Sequence, residues 1–316
     1  MDIRDVIIIG SGPAALTAAL YTSRANLSPL VLGSVKWGGQ LMLTTEVENY
    51  PGFSEGVLGP DLMKKFRDQA EKFGTEILDI DVTKVDFGSN PFKVTAGDKE
   101  YQAKSVIIAT GAETNWLGLS NEQRLIGRGI SSCAPCDAFF FREKKVIVVG
   151  GGDSAMEEAL TLTKFASAVT IVHRRGEFRA SKIMLDRARA NKKISFVLNK
   201  MVVDVLGDSK VTGVKLKDVK TGKETDMEID GMFVAIGHSP VTGIFKGQVD
   251  LDEKGYVKRI SNFKFQISNF KMMTSVEGVF VAGDVHDYHY QQAVTAAGYG
   301  CMAALEAERW LEMRSA

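Results

Sequence analysis

The chain opens on an apolar run, Val6-Ile7-Ile8-Ile9, that stops at Gly10. After Pro13 the apolar residues Ala14, Ala15, Leu16, Ala18, Ala19 and Leu20 recur at helical spacing. A short β-branched run bounded by glycine reads as a buried strand, and the change of period marks a strand, a turn and a helix. The pattern returns in "KKVIVVGGGDSAMEEALTLTKF", with another buried strand in "AVTIVH". Two further apolar runs end in glycine turns, "SVIIATGAETNW" (105–116) and "GMFVAIGHSPVTGIF" (231–245), and look like equivalent exits from two domains. Near the end, "GVFVAGDV" leads through Gly283-Asp284 into the helical "AVTAAGYGCMAALEAERWL", which resumes the style of the first domain. The prediction is an α/β chain of two Rossmann-like, three-layer dinucleotide-binding domains, one inserted in the other. The boundaries fall at 1–112 with 246–316, and at 113–245.

Each glycine turn has a chemical reading. Gly10, Gly12 and Ala15 form G-x-G-x-x-A, and Gly150, Gly152 and Ala155 repeat it. The first glycine permits the tight turn, the second lets backbone approach a pyrophosphate, and the alanine allows close packing of helix on strand. The helix N-terminus then offers N–H donors to the phosphate. After the second strand of the later unit come His173, Arg174, Arg175 and Arg179. Guanidinium groups there match a 2′-phosphate, whereas a carboxylate would bind a free ribose, so this unit is expected to take NADP(H). The alternative is a solvated basic strand end. The first unit ends "PLVLGSVKWGGQL", with no acid and no basic cluster, which fits FAD.

Composition narrows the classes. The 316 residues suffice for two buried cores, and 39 basic against 39 acidic residues give zero net charge. That argues against nucleic acid or an anionic membrane as partner. The four-residue apolar run near the N-terminus is too short for a signal-peptide core, and no run reaches the ~20 residues of a membrane span. A cytoplasmic protein is expected. Three cysteines make no disulfide framework; Cys301 reads as a small buried hydrophobe in a helix. Cys133 and Cys136 form C-x-x-C in "SSCAPCDAFFF", just ahead of the second glycine turn. The alternative for this dithiol is half of a zinc site with His286 and His289, but those lie in the Gly-Asp segment, so no metal is expected. Asp137 reads as an acid-base group, as a helix N-cap before "AFFF", or as both. Three consecutive phenylalanines, 139–141, cannot all face inward, so at least one is expected at the surface.

Taken in order, "GSGPAALTAALY", "GGQL…TTEVENYPGF", "CAPCD", "GGGDSAMEEA", "HRRGEFRASK" and "GVFVAGDV…QAVTAAGYGCMAALEAERWL" closely resemble the low-molecular-weight thioredoxin reductases over nearly the whole chain. These are FAD- and NADPH-dependent pyridine nucleotide-disulfide oxidoreductases. The resemblance implies FAD on the split domain, with Gly10 to Ala14 (Ser11, Gly12 and Pro13 between) at the pyrophosphate. Gly33 to Gln40, including Gly38 and Gly39, and Asn49 would surround adenosine and flavin. Val82 would touch the adenine side, Asp284 beside Gly283 the ribityl chain, and Gln291, Gln292, Ala293 and Val294 the isoalloxazine. NADPH would lie against Ser154, His173, Arg179, Ile236 and Tyr256. Cys136 would face the flavin, Cys133 would attack the disulfide of thioredoxin, and Asp137 would supply the proton. Phe139 and Phe140 resemble the family's docking aromatics, and a homodimer is implied. Three departures stand out: Ala138 for a usual glycine, Gln291 for a usual arginine, and a repeated Ile-Ser-Asn-Phe-Lys within 260–273, read as a surface extension.

A flavin between two nucleotide sites explains the dithiol's place, because NADPH delivers a hydride while a disulfide is reduced through a thiolate. Cys136 and the Gly150 turn share one domain, yet nicotinamide and sulfur must each approach the same flavin to about 3–3.5 Å. Their access is expected to alternate by rotation of 113–245 about connections near Ala112–Asn115 and Ser239–Gly243. The rival readings are a ferredoxin or flavodoxin–NADP reductase without dithiol chemistry, the reductase of a peroxide-detoxifying pair, and a non-catalytic redox-sensing module. The intact C-x-x-C argues against the first. The expected start of the chain at the FAD strand argues against the second, which carries a further thiol domain.

Overall fold

The computed structural model describes residues 2–260 and 270–315. The chain divides into two compact units, 1–113 with 239–316, and 114–238. The return crossing therefore falls at His238/Ser239, seven residues ahead of the 245/246 read from sequence. The two crossing segments, Ala112–Thr114 and His238–Pro240, pair as a two-stranded sheet.

In the first unit, strand β1 (Ile3–Ile9) and helix α1 (Pro13–Arg24) are the expected strand, turn and helix. β1 lies between Leu30–Leu32 and Lys99–Ile108, parallel to both, with Glu76–Leu78 beyond the former. Val279–Val281 extends the parallel sheet by pairing with the C-terminal end of Lys99–Ile108. The N-terminal end of that long strand continues into antiparallel Phe92–Ala96 and Val82–Asp86. Buried residues on both faces, such as Ile7 and Ile8, explain why β1 reads as an unbroken apolar run. The C-terminal helix Ala293–Ser315 lies so close on α1 that a Cβ at Gly300 would stand 2.1 Å from the Ala14 carbonyl oxygen.

The second unit carries five parallel strands in the order Ile130–Ser131, Gly231–Ala235, β2 (Lys145–Gly150), β3 (Ala168–His173) and Ile194–Leu198. Helix α2 (Asp153–Leu162) follows β2 and buries Ala155, Met156, Ala159 and Leu162 against it. A three-stranded antiparallel sheet, Lys200–Leu206, Gly213–Asp218 and Glu224–Glu228, completes the unit. Both units repeat one packing detail. A Cβ at Gly10 would meet the Ala109 oxygen at 2.2 Å, and one at Gly150 the Ala235 oxygen at 2.3 Å. Each first glycine of the motif is thus pressed against the exit strand that the sequence paired with it.

Most of the repeated Ile-Ser-Asn-Phe-Lys segment lies outside the described residues; Met272 and Met273 at its end are buried. Cys301 departs from expectation. It is half-buried, not enclosed, and hydrogen-bonds Tyr21 on α1, an interaction that raises the phenol. Among the described residues no helix is long and apolar enough to cross a membrane, and no group of three or more candidate metal ligands occurs.

Candidate functional site

The dithiol sits on the second unit. Cys133 closes the stretch after Ile130–Ser131, and Ala134–Asp137 form a single helical turn in which Pro135 gives up an amide that needs no partner. The amides of Cys136 and Asp137 donate to the Cys133 carbonyl at 3.2 and 3.1 Å, drawing the two side chains together. The sulfurs are bonded at 2.10 Å. Cys136 is exposed and Cys133 half-buried.

Two polar groups missed in the sequence hold this turn. The Ser131 hydroxyl accepts the Cys133 N–H at 3.0 Å and also bonds Asp137. Burial pushes the Asp137 carboxyl up, with the Ser131 bond acting the other way. Asp137 stands where an N-cap of Ala138–Phe141 would, but its side chain makes no capping bond. Its side chain is turned to Ser131 and not to the amides of that turn. Glu158 on α2 accepts the Ala134 N–H at 2.5 Å. Burial, and then the charges of Asp137 and Glu157, push Glu158 up to about 7 against the pull of that amide. The sequence did carry a signal for Glu158: it shares the inward face of α2 with Ala155, Ala159 and Leu162. Ala138 adopts helical angles, φ −57° and ψ −30°, so alanine fits where relatives have glycine. Phe141 is buried, while Phe139 and Phe140 are 53% and 37% exposed.

The second glycine turn stands on the same unit. Gly152 has open space where a Cβ would project, and α2 starts without a side-chain cap, leaving its first amides for an anion. The Asp153 carboxylate turns to the Ser181 amide at 2.6 Å, and Ser154 is exposed beside it. His173 at the end of β3 packs against Gly151, where a Cβ would lie 2.2 Å from the ring, and stacks on Phe178. Burial holds His173 below its usual range, and Arg175, Arg179 and Arg174 act the same way against its bond to the Glu177 carbonyl. The three arginines are exposed, and among the described residues none is in an ion pair with an acid. Ile236, also exposed, follows the strand Gly231–Ala235. Tyr256, expected with these residues, belongs to the first unit, buried near Asp284 and against Tyr288.

On the first unit the residues fit a dinucleotide. Gly10 takes φ +122°, Gly12 again faces open space, and a Cβ on Gly39 would lie 3.5 Å from the Gly12 Cα. Ser11 bridges the loop, its hydroxyl donating to the Gly33 carbonyl and accepting the Gly38 amide. Pro13 and Ala14 open α1, whose first turn has no side-chain cap. Asp284, in the short turn after Val279–Val281, has an Oδ1 that is buried without a partner, and burial and Asp287 push its carboxyl up to about 7. An orphaned carboxylate oxygen beside a glycine cradle suits a ligand hydroxyl. Asn49 donates to the Gln292 side chain at 3.3 Å, and Gln291 takes φ +48° just before Ala293 and Val294. Gln40 is exposed, and Val82 starts an antiparallel strand. The sequence missed Asp79, whose Oδ1 lies 3.5 Å from where a Gly33 Cβ would stand and is held by Arg67 at 2.9 Å.

The family described as pyridine nucleotide-disulphide oxidoreductase matches residues 4–300. A thioredoxin reductase of Mycolicibacterium smegmatis is 53% identical over 98% of this chain and 97% of its own. One from Rickettsia conorii is 53% identical over 97% of each. Among solved structures, the thioredoxin reductase of Streptococcus pyogenes matches with a TM-score of 0.91 at 42% identity, covering 98% of this chain and 99% of that one. The chain belongs to the pyridine nucleotide-disulphide oxidoreductases and, within them, to the thioredoxin reductase family. FAD and NADPH are the nucleotides that this membership carries.

Proposed function

We propose that the chain reduces the disulfide of thioredoxin at the expense of NADPH, through FAD and the Cys133–Cys136 pair. The observation that carries this reading is a closed disulfide on the same unit as a free phosphate turn and three unpaired arginines. The relatives named above are thioredoxin reductases, and one from Mycobacterium leprae is a bifunctional thioredoxin reductase/thioredoxin.

NADPH would bind with its pyrophosphate at Gly150–Gly152 and the first amides of α2, and its 2′-phosphate at Arg174, Arg175 and Arg179. FAD would be held by Gly10–Ala14, Gly33–Gln40, Asn49, Val82, Asp284 and Gln291–Val294, and when bound it supplies two-electron transfer between a nicotinamide and a disulfide. Reduction breaks the Cys133–Cys136 bond and leaves one thiol and one thiolate. The thiolate attacks a sulfur of the partner's disulfide to give a mixed disulfide, and the second cysteine resolves it, regenerating the intramolecular bond. Asp137, whose carboxyl burial pushes up, would give a proton to the departing sulfur and take one back in the next cycle. Cys133 would be the sulfur that attacks the disulfide of thioredoxin, and Cys136 the one that faces the flavin and resolves the mixed disulfide.

Three finer readings belong here. Phe139 and Phe140 would dock thioredoxin, which their exposure beside the dithiol supports. The second unit would rotate between half-reactions, which is supported by the two chain crossings that bound it, Ala112–Thr114 and His238–Pro240. The chain would form a homodimer, supported by exposed Tyr21, Met302 and Leu305 on α1 and the C-terminal helix. The test is oxidation of NADPH followed optically with a panel of thioredoxins. Steady turnover with at least one is expected, and none with any would refute the proposal.

A further inference from the structure

One acid touches the dithiol turn through its backbone. Glu158 on α2 accepts the N–H of Ala134, the residue directly after Cys133, at 2.5 Å. Amides that follow a cysteine into a turn are the donors that stabilise it as a thiolate. A carboxylate already bonded to the Ala134 N–H removes that donor and places negative charge within a few ångströms of the Cys133 backbone. We infer that Glu158 is a positioning residue of the dithiol: it withholds the Ala134 amide from the Cys133 sulfur and so keeps the reduced pair a strong reductant. This rests on reading the pair as the redox centre.

The chemistry fixes the sign. Reducing the pair breaks one S–S bond and takes two electrons, supplied by NADPH, and one proton for each sulfur that ends as a thiol. Anything that lowers the energy of the thiolate stabilises the reduced pair and makes it less reducing. An enzyme that must reduce a thioredoxin-like disulfide, at about −270 mV, gains from a thiolate held in check. The charged groups acting on Glu158 are both acids, Asp137 from the turn and Glu157 from its own helix, and the Ser131 hydroxyl is engaged with Asp137. Among the described residues no cation is among the charges acting on Glu158. Because Glu158 titrates at about 7, its hold on the amide should weaken as pH falls through neutrality.

The test uses the FAD-loaded enzyme and its Glu158→Gln and Glu158→Ala variants. Each is equilibrated in dithiothreitol redox buffers, and the state of the Cys133–Cys136 peptide is read by alkylation and mass spectrometry. Glu158→Ala frees the amide and should favour the reduced pair about tenfold, equivalent to ~30 mV for a two-electron couple. Glu158→Gln keeps an acceptor but no charge and should shift the same way by less. The pH profile of thiol alkylation should move to lower pH in the same order. Wild-type potentials and profiles in both variants, or a shift toward harder reduction, overturn the inference. If Glu158→Ala fails to fold, Glu158→Gln alone decides, and an unchanged profile there counts against it. A wild-type pair that does not titrate at all sinks the redox reading itself.

Discussion

Arg175 and Arg179 stand exposed just after β3 and, among the described residues, in no ion pair with an acid, so their charge is available to a ligand. Replacing both by alanine should raise the KM for NADPH by about ten- to hundredfold for each charge-assisted bond lost, since such bonds are worth roughly 1.5–3 kcal/mol each, and leave that for NADH nearly unchanged. An unaltered NADPH/NADH ratio would remove the 2′-phosphate assignment. Asp284 makes a pH prediction. Its folded-state pKa is raised from 3.8 to about 7, so its contribution to stability is full below about 4 and is lost as pH rises through 7. A ligand hydroxyl donating to Oδ1 favours the ionised form, so FAD binding should release a proton. FAD should bind about tenfold more tightly at pH 8 than at pH 5.5, and Asp284→Asn should abolish that slope. An equal slope in the variant would place the proton elsewhere. The glycines, arginines and cysteines of the sites were legible because each type has a narrow chemical use. Ser131, Glu158 and Asp79 were not, since their roles come from which backbone amide or neighbouring strand the fold brings beside them.

At the scale of elements, the two glycine turns separate fold from site. Gly10 needs φ +122° and has the Ala109 oxygen where its Cβ would go, so Gly10→Ala should destabilise the first unit by several kcal/mol. Gly12 has an ordinary φ of −76° and open space, so Gly12→Val should keep its melting temperature yet lose FAD. Thermal melts of the apoproteins, set beside FAD titrations, check both. A Gly12→Val protein that binds FAD normally would show that the pyrophosphate lies elsewhere. The parallel strands were legible as unbroken apolar runs because both faces are buried. The three-stranded sheet over 200–228 was not, because its strands mix exposed and buried positions with charge. Cys301 was misjudged for a related reason: its helix is apolar on more than one side, so period alone did not mark the outward positions.

For the whole molecule, the order of motifs carried the plan of one unit interrupting the other. The return point did not follow, because "GHSPVTGIF" offers several turn residues and the break falls at the first of them. Alternating access should make the linked enzyme informative. A cross-link that fixes the second unit with Cys136 over the flavin should stop flavin reduction by NADPH, and normal reduction in that state would remove the need for rotation. The central claim is that electrons from NADPH reach thioredoxin only through the Cys133–Cys136 bond. Its most direct test is NADPH oxidation by the wild type, Cys133→Ser and Cys136→Ser, each with thioredoxin and separately with ferricyanide as an acceptor needing no dithiol. Both variants should keep ferricyanide reduction and lose thioredoxin turnover, and Cys136→Ser, in which Cys133 attacks and nothing resolves it, should trap the mixed disulfide more readily. Thioredoxin turnover at the wild-type rate in either serine variant would contradict the account.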